Sequence, residues 1–308
     1  MTKNWHFHRL LRCLVGFTFL VGLFNPFLLP SGQLEVQQDI SDRSLQRKGE
    51  NSTENQNHDR SIPNILIFTY DKNVLTAPII ELNLMEQVFQ NNTLNTISLH
   101  PGAQVRFLDD NDCIAAIQSV YNNSTNMVHH FQVETEGMYK GDICRGAALY
   151  QTGGIYLDMD LVARMTLWDV IPPEVDFVVP QENAKPDPRY RTFYQAFIAA
   201  APRHVVIRSY LDLFEAFYNK RIPRPINLLG VHFMKDAYYA SGANATTTTR
   251  IWTEMIFQAD LLPHIKPQSN NEACSNVIIA QPEAPNQYDP NMIVPFFTNV
   301  HGSKRCPL

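Results

Sequence analysis

Hydrophobic and polar residues follow two alternating periodicities along most of the chain. Short apolar runs bounded by turn residues predict buried strands, and they lie at 63–70, 105–108, 155–157 and 176–180. Segments with helical spacing lie between or after them, at 79–90, 111–121, 140–151 and 204–218. Strands that alternate with helices along a chain are typical of α/β proteins. The pattern therefore predicts an α/β domain, which we place at residues 62–308.

The N-terminal pattern is different. Residues 1–12 carry Lys3, Arg9 and Arg12, and the 17 residues at 13–29 carry no charge. Such a segment is at the short end for a membrane-spanning helix, and basic residues before it favour a cytosolic N-terminus. We interpret 1–12 as a cytosolic tail and 13–30 as a signal-anchor of a type II membrane protein. The alternative is a cleaved signal peptide with a long apolar region.

Residues 31–61 are polar and contain few aromatic residues, so they cannot bury enough apolar surface to fold alone. We interpret them as a disordered stem. N-glycosylation sequons agree with a body that lies in the lumen of the secretory pathway, and they occur at Asn51, Asn91, Asn122, Asn123 and Asn244.

The most informative stretch runs from residue 139 to residue 168. Its helical segment ends at Gly153-Gly154, because glycine accepts the backbone conformation of a helix C-terminus. The apolar run 155–157 follows as a buried strand and leads into Asp158-Met159-Asp160. On an extended chain these two carboxylates would point to the same side, and paired carboxylates suit Mg²⁺ or Mn²⁺. The alternative interpretation is an ordinary solvated turn.

Asp142 and Arg145 lie one helix upstream of this motif. At i and i+3 they share a helix face, so they can act together. Their alternative interpretation is a surface ion pair of little energetic consequence.

The pattern Lys140-x-Asp142-x-x-Arg145, followed by Gly153-Gly154-Ile155-Tyr156-Leu157-Asp158-x-Asp160, resembles the core signature of the DXD sugar transferases of glycosyltransferase family 32. The family includes yeast outer-chain mannosyltransferases and α-1,4-galactosyl- and N-acetylglucosaminyltransferases. The resemblance implies a GT-A fold, which is a Rossmann-like nucleotide-sugar-binding domain. It also implies transfer of a sugar from a UDP- or GDP-sugar, with retention of anomeric configuration, to a glycan or glycolipid acceptor in the Golgi lumen.

By the same resemblance, Asp142 and Arg145 are the catalytic residues and hold the donor sugar. Asp158 and Asp160 would bind Mn²⁺ (or Mg²⁺), and Asp158 would also contact the donor. Tyr156 would line the nucleotide pocket, although a core role is the alternative.

Further positions follow the family pattern less closely. Tyr70 stands where the family has Trp and would stack on the donor base. His301 and Ser303 correspond to a C-terminal His and Ser that lie over the metal and diphosphate, but Lys304 replaces the expected Trp. Gln195 stands near a family Asn, which puts an acceptor contact there in doubt.

The cysteines and the net charge give two further expectations. Cys113, Cys144, Cys274 and Cys306 follow the apolar segment and allow three pairings; we favour Cys274 with Cys306 and expect Cys144 to be a buried free thiol. The net charge is −5 and no basic face is evident, so nucleic acid is not an expected partner.

Two other function classes remain as alternatives. One is an inactive lumenal protein that binds metal and nucleotide-sugar. The other, a hydrolase, would need more carboxylate and His ligands for a two-metal site.

Overall fold

The structure is a computed structural model of the chain. It describes residues 60–122, 124–182, 191–223, 228–256 and 276–280, together with 293, 295–298, 300–301 and 304–305. The predicted tail, anchor and almost all of the stem lie outside these residues, as do Asn51 and Asn123 among the sequons. Within the described ranges, no helix has the length and apolar character needed to cross a membrane.

Strands and helices alternate through the described part of the chain, so the predicted α/β class is confirmed. The strands are β1 (Ile65–Thr69), β2 (Gln104–Leu108), β3 (Gly154–Leu157), β4 (Leu161–Ala163), β5 (Phe177–Glu182), β6 (Phe197–Ala200), β7 (Thr249–Ile256), β8 (Asn276–Ile279), β9 (Phe296–Thr298), β10 (Val300–His301) and β11 (Lys304–Arg305). The helices are α1 (Leu84–Ser98), α2 (Asp110–Tyr121), α3 (Met127–Val133), α4 (Gly137–Thr152), α5 (Val205–Tyr218) and α6 (Leu229–Ala240).

One mixed sheet organises the described residues. Its strand order is β2-β1-β3-β6-β5-β7-β8-β9-β4. β1 is parallel to both β2 and β3, whereas β6 runs antiparallel between β3 and β5. The carboxyl ends of β1 and β3 therefore meet at one edge of the sheet, where ligands of open α/β sheets bind.

Both faces of the central strands are covered by apolar side chains. Leu66 and Phe68 of β1 belong to a cluster on one face, and Ile67 belongs to the cluster on the other. The same division separates Ile155 from Tyr156 in β3. Strands buried on both faces have near-continuous apolar sequences, and this is why the sequence pattern located them.

The helix predicted at 79–90 begins later than expected. A short 3-10 helix covers Ile79–Glu81, and α1 starts after Asn83, whose side chain accepts from the main-chain N–H of Glu86. The Glu86 carboxylate in turn accepts from the Asn83 N–H, which completes a capping box. The apolar periodicity continues across this boundary and so concealed it.

The structure contains a disulfide that the sequence analysis did not predict. Cys113 of α2 is bonded to Cys144 of α4, with 4.9 Å between the Cα atoms. The expectation that Cys144 is a free thiol is therefore wrong. Both residues are buried between two helices that pack on the same face of the sheet, which brings their sulfur atoms together. Cys274 and Cys306 lie outside the described residues.

Candidate active site

Four of the predicted site residues converge where α4 passes the carboxyl end of β3. Arg145 lies at their centre: its Nη2 is 3.5 Å from Asp142 Oδ1 and 3.6 Å from Asp158 Oδ1. Its guanidinium lies over the ring of Tyr156, with Cζ 4.5 Å from the ring centroid. The sequence prediction that Asp142 and Arg145 share a face of the helix is confirmed. Both are almost fully buried, so they are not an ordinary surface pair.

Arg145 is held by more than these two carboxylates. Its Nη1 donates to the main-chain oxygen of Gln195 at 2.7 Å, and its Nε donates to that of Gly141 at 3.3 Å. Burial lowers the pKa of the guanidinium, but attraction to Tyr156, Asp158 and Asp142 outweighs burial and raises that pKa overall. A permanent positive charge is therefore fixed between two acidic side chains.

Tyr156 supports this group from inside the sheet. Its hydroxyl donates to Asp158 Oδ1 at 2.5 Å and lies 3.2 Å from Thr69 Oγ1, at the end of β1. The side chain is only 1% exposed, and burial raises the pKa of the hydroxyl well above its usual value. The structure thus places Tyr156 beneath Arg145, where its hydroxyl orients Asp158.

Asp158 and Asp160 lie in a turn between β3 and β4. The N–H of Leu161 donates to Asp158 O at 3.1 Å and closes the turn, while the N–H of Asp158 donates to Ala196 O at 2.7 Å. The prediction that this motif is an extended continuation of the strand is therefore wrong. The reversal is required because β4 leaves β3 and pairs with β9 at the other end of the sheet order.

Asp142 and Asp160, which were predicted to bind sugar and metal respectively, both have a raised pKa. Burial raises the pKa of Asp142 to about 7, and the negative charge of Asp158 adds to this effect while Arg145 opposes it. Burial and then the charge of Asp158 also raise the pKa of Asp160 to about 7. One positive side chain does not neutralise three neighbouring carboxylates.

Asp160 has a further feature that bears on metal binding. Its Oδ1 atom is buried and has no hydrogen-bond partner in the described structure. A buried carboxylate oxygen without a partner is costly, and a hard divalent cation would satisfy it. The Asp158 and Asp160 oxygens therefore fit a Mg²⁺- or Mn²⁺-type site. The residues that the structure describes contain no group of three or more His, Cys, Asp or Glu side chains arranged for a metal.

The structure describes the backbone of only one of the two predicted C-terminal site residues. His301 lies in β10, whose backbone pairs with Lys304 of β11. Its side chain, and the whole of Ser303, lie outside what the structure describes. The roles predicted for both therefore stay predictions.

Tyr70 lines a cavity of about 410 Å³. Gly141, whose main-chain oxygen accepts from Arg145 Nε, also lines it. The cavity opens at the ends of β1 and β2, near the start of α4, and its lining includes Thr69, Asp110, Lys140 and the Cys113–Cys144 disulfide. Lys140 pairs with Asp110 and lies 4.7 Å from the centroid of the Phe131 ring. Tyr70 packs edge-on against Phe89 with 5.7 Å between centroids, which fixes its ring at the cavity.

Sequence reasoning missed several residues that contact the site. The N–H of Gly230 donates to the Asp142 carboxylate, and the Tyr210 hydroxyl donates to the main-chain oxygen of Asp142 at 3.3 Å. Gln195 was noted, but only as a departure from a family pattern. No local motif marks Tyr210, and the contact of Gly230 with Asp142 could not be predicted, because α5 and α6 reach α4 only through tertiary packing.

Comparison with protein families identifies the part of the chain that carries this group. Residues 86–178 match the model of a family described as glycosyltransferase sugar-binding region containing DXD motif. The matched range contains Asp142, Arg145, Asp158 and Asp160. No curated protein matches the chain.

Three solved structures resemble the chain at low identity. "PaToxG Glycosyltransferase" is 18% identical, with a TM-score of 0.44 over 58% of this chain and 69% of that chain. A transferase with two cysteine-to-serine substitutions is 13% identical, with a TM-score of 0.37 over 61% and 88% of the two chains. The UDP-bound glycosyltransferase domain from the YGT toxin is 12% identical, with a TM-score of 0.25 over 53% and 46%.

These TM-scores are too low to establish a shared fold. The family match, by contrast, falls on the residues that converge around Arg145. It supports a glycosyltransferase with a DXD sugar-binding region at residues 86–178.

Proposed function

We propose that this protein is a metal-dependent, retaining glycosyltransferase of the GT-A type, related to glycosyltransferase family 32. It transfers a hexosyl or N-acetylhexosaminyl group from a UDP- or GDP-sugar to a glycan or glycolipid acceptor. One observation carries the proposal. The range that matches a DXD sugar-binding region contains Arg145, and the structure places Arg145 within 4 Å of both Asp142 and Asp158.

Asp158 and Asp160 are the proposed ligands of Mn²⁺ or Mg²⁺. The Asp160 oxygen that lacks a partner among the described residues supports this assignment. When bound, the ion supplies Lewis acidity and neutralises charge on the departing diphosphate. His301 is a further proposed ligand.

The chain's own residues then orient the donor. Asp142 accepts hydrogen bonds from hydroxyls of the donor sugar, and Arg145 places positive charge beside the bond that breaks. Burial of both groups excludes water and strengthens these interactions. The proposal needs no protein nucleophile, because the leaving phosphate can take the acceptor proton during attack from the same face.

The cavity beside Tyr70 is the proposed site of the donor base and ribose. Its position at the carboxyl ends of two parallel strands supports this, and so does its connection to Arg145 through one turn of α4. Ser303 is a further proposed donor contact. The proposed cellular setting is the Golgi lumen, with the residues at 13–30 as the type II anchor.

The test uses the chain from residue 31 onward, secreted from a eukaryotic host and compared with the full chain in detergent. Each is incubated with Mn²⁺ and a panel of UDP- and GDP-sugars, with and without sugar acceptors, and released nucleotide is assayed. We expect release from one donor that is lost on chelation and in the double variant Asp158→Ala, Asp160→Ala.

The matched control is Asp212→Ala, because Asp212 is a half-exposed carboxylate on α5 that pairs with Arg208. Its activity should equal that of the parent. Absence of turnover with every donor and acceptor, in a folded protein, would overturn the proposed activity. If Mn²⁺ and nucleotide still raised the melting temperature, the alternative of an inactive binding protein would replace it.

A further inference from the structure

A buried glutamine lies directly behind the charged pair of the site. Gln195 occupies the turn before β6 and is 4% exposed. Its main-chain oxygen accepts from Arg145 Nη1 at 2.7 Å. Its side-chain Nε2 donates to Gly230 O at 2.6 Å and to the Tyr210 hydroxyl at 3.1 Å. One residue thus joins α4, α5 and α6.

Gly230 completes the contact from the first turn of α6. Its N–H donates to the Asp142 carboxylate. A Cβ atom at this position would overlap both Asp142 Oδ2 and Gln195 Oε1. The close approach of the α6 backbone to Asp142 therefore requires a residue without a side chain.

We propose that Gln195 and Gly230 are positioning residues that fix the distance between Asp142 and Arg145. They act through those two side chains and do not contact the substrate. The inference rests on the proposed function, because it concerns the geometry of the same site. It assigns Gln195 a place behind the site, which differs from an acceptor contact.

The chemistry of the contacts supports this role over a purely apolar packing role. A buried amide is costly unless its hydrogens are bonded, and both Gln195 Nε2 bonds go to α5 and α6, the helices that contact Asp142. An apolar side chain could fill the volume but could not fix the relative position of these helices through directional bonds. Outer partners that orient metal ligands typically change affinity or activity by about 10–100-fold when removed, and we expect an effect of the same order for partners that orient Asp142 and Arg145.

Gln90 supplies a matched control in the same protein. It is also a buried glutamine, and its Nε2 donates to Val74 O at 2.7 Å and Ala77 O at 3.1 Å. These partners lie in the connection between β1 and α1. Gln90→Met therefore removes the same number of amide hydrogen bonds without touching Asp142 or Arg145.

The experiment compares Gln195→Met, Gly230→Ala and Gln90→Met in the secreted chain, at a temperature where all three are folded. We expect kcat/KM for transfer to fall about 10–100-fold in the first two and to stay near the parent value in Gln90→Met. Affinity for free nucleoside diphosphate with Mn²⁺ should stay unchanged in all three. Gln195 and Gly230 position Asp142 and Arg145, which are proposed to act on the sugar and on the bond that breaks.

Amide hydrogen exchange of α4 provides a readout that needs no turnover. Exchange near Arg145 should rise in Gln195→Met and Gly230→Ala, and not in Gln90→Met. Equal kcat/KM in all three variants, or equal exchange in α4, would overturn the positioning role. An inactive parent would instead overturn the proposed function, and hydrogen exchange would still decide the positioning role.

Discussion

The two ends of the candidate site differ in how completely their polar groups are satisfied. At the α4 end, Asp142 and Arg145 are held by their ion pair, by a hydrogen bond to the turn before β6 and by a hydrogen bond from α5. At the turn after β3, Asp160 keeps a buried oxygen that has no hydrogen-bond partner in the part of the chain that the structure describes. The first end is already assembled from protein groups, whereas the second has the unsatisfied negative charge that a cation needs. In the proposed function, the first end would hold the donor sugar and the second would hold the metal.

The largest expected effect comes from the assembled end. Arg145→Lys should lower kcat by about 10²–10³-fold, because one ammonium cannot reach both carboxylates and the Gln195 carbonyl as the planar guanidinium does. Steady-state kinetics with the identified donor measure this. Arg208→Lys, on an exposed pair with Asp212, is the control and should behave like the parent. If Arg145→Lys turns over at nearly the parental rate, the contacts of the guanidinium at the α4 end are not needed for activity.

Removing the disulfide should weaken the assembled end next. Cys113 and Cys144 tie α2 to the helix that carries Arg145. The double variant Cys113→Ser, Cys144→Ser should lose about 2–4 kcal/mol of unfolding free energy. Without the bond the unfolded chain has more conformational freedom, which favours unfolding. Chemical denaturation under oxidising conditions measures the loss. If the variant is as stable as the parent, α4 is held by packing alone.

The open end should respond in the opposite direction. Asp160→Asn removes a partly buried charge whose Oδ1 has no hydrogen-bond partner among the described residues, so its melting temperature without metal should rise by a few degrees, since about 1 kcal/mol corresponds to ~2–4 °C for a folded domain of 150–250 residues. The same variant should lose the stabilisation that Mn²⁺ gives the parent. Thermal scans with and without Mn²⁺ test both statements, and Asp212→Asn serves as control. A lower metal-free melting temperature would show that Asp160 is already satisfied.

The pH dependence of stability tests the carboxyl groups at both ends of the site. Burial raises the pKa of Asp142 and of Asp160 to about 7, whereas an unfolded Asp titrates near ~3.9. The folded state thus binds more protons between about pH 4 and 7, and metal-free stability should fall as pH rises through that range. Melting curves at pH 5 and pH 8 measure the slope, and Asp142→Asn should flatten it. A rising curve would mean that Arg145 stabilises the charged forms more than burial disfavours them.

Much of the local structure was predictable because its causes are local. Helix α4, its end at Gly153 and strand β3 follow from apolar spacing and from a glycine with a φ of +65°. The capping of α2 by Asp109 is equally local, since the side chain accepts from N–H groups two and three residues ahead. The shared face of Asp142 and Arg145 required only helical geometry.

Other features depended on packing between segments that are distant in the sequence. The Cys113–Cys144 bond and the contacts of Gln195 and Gly230 with Asp142 and Arg145 exist because α2, α5 and α6 pack against α4 on one face of the sheet. The turn at Asp158–Asp160 exists because β4 pairs with β9.

The sequence by itself determined the α/β class and the central helix and strand, and it supplied the charged residues that we propose for sugar transfer. Only the tertiary structure decided which of those charges are neutralised. Periodicity records which face of an element is buried, but it carries no information about which other element covers that face. Arg145 therefore could be placed on a helix from its spacing, but its position between Asp142 and Asp158 could not.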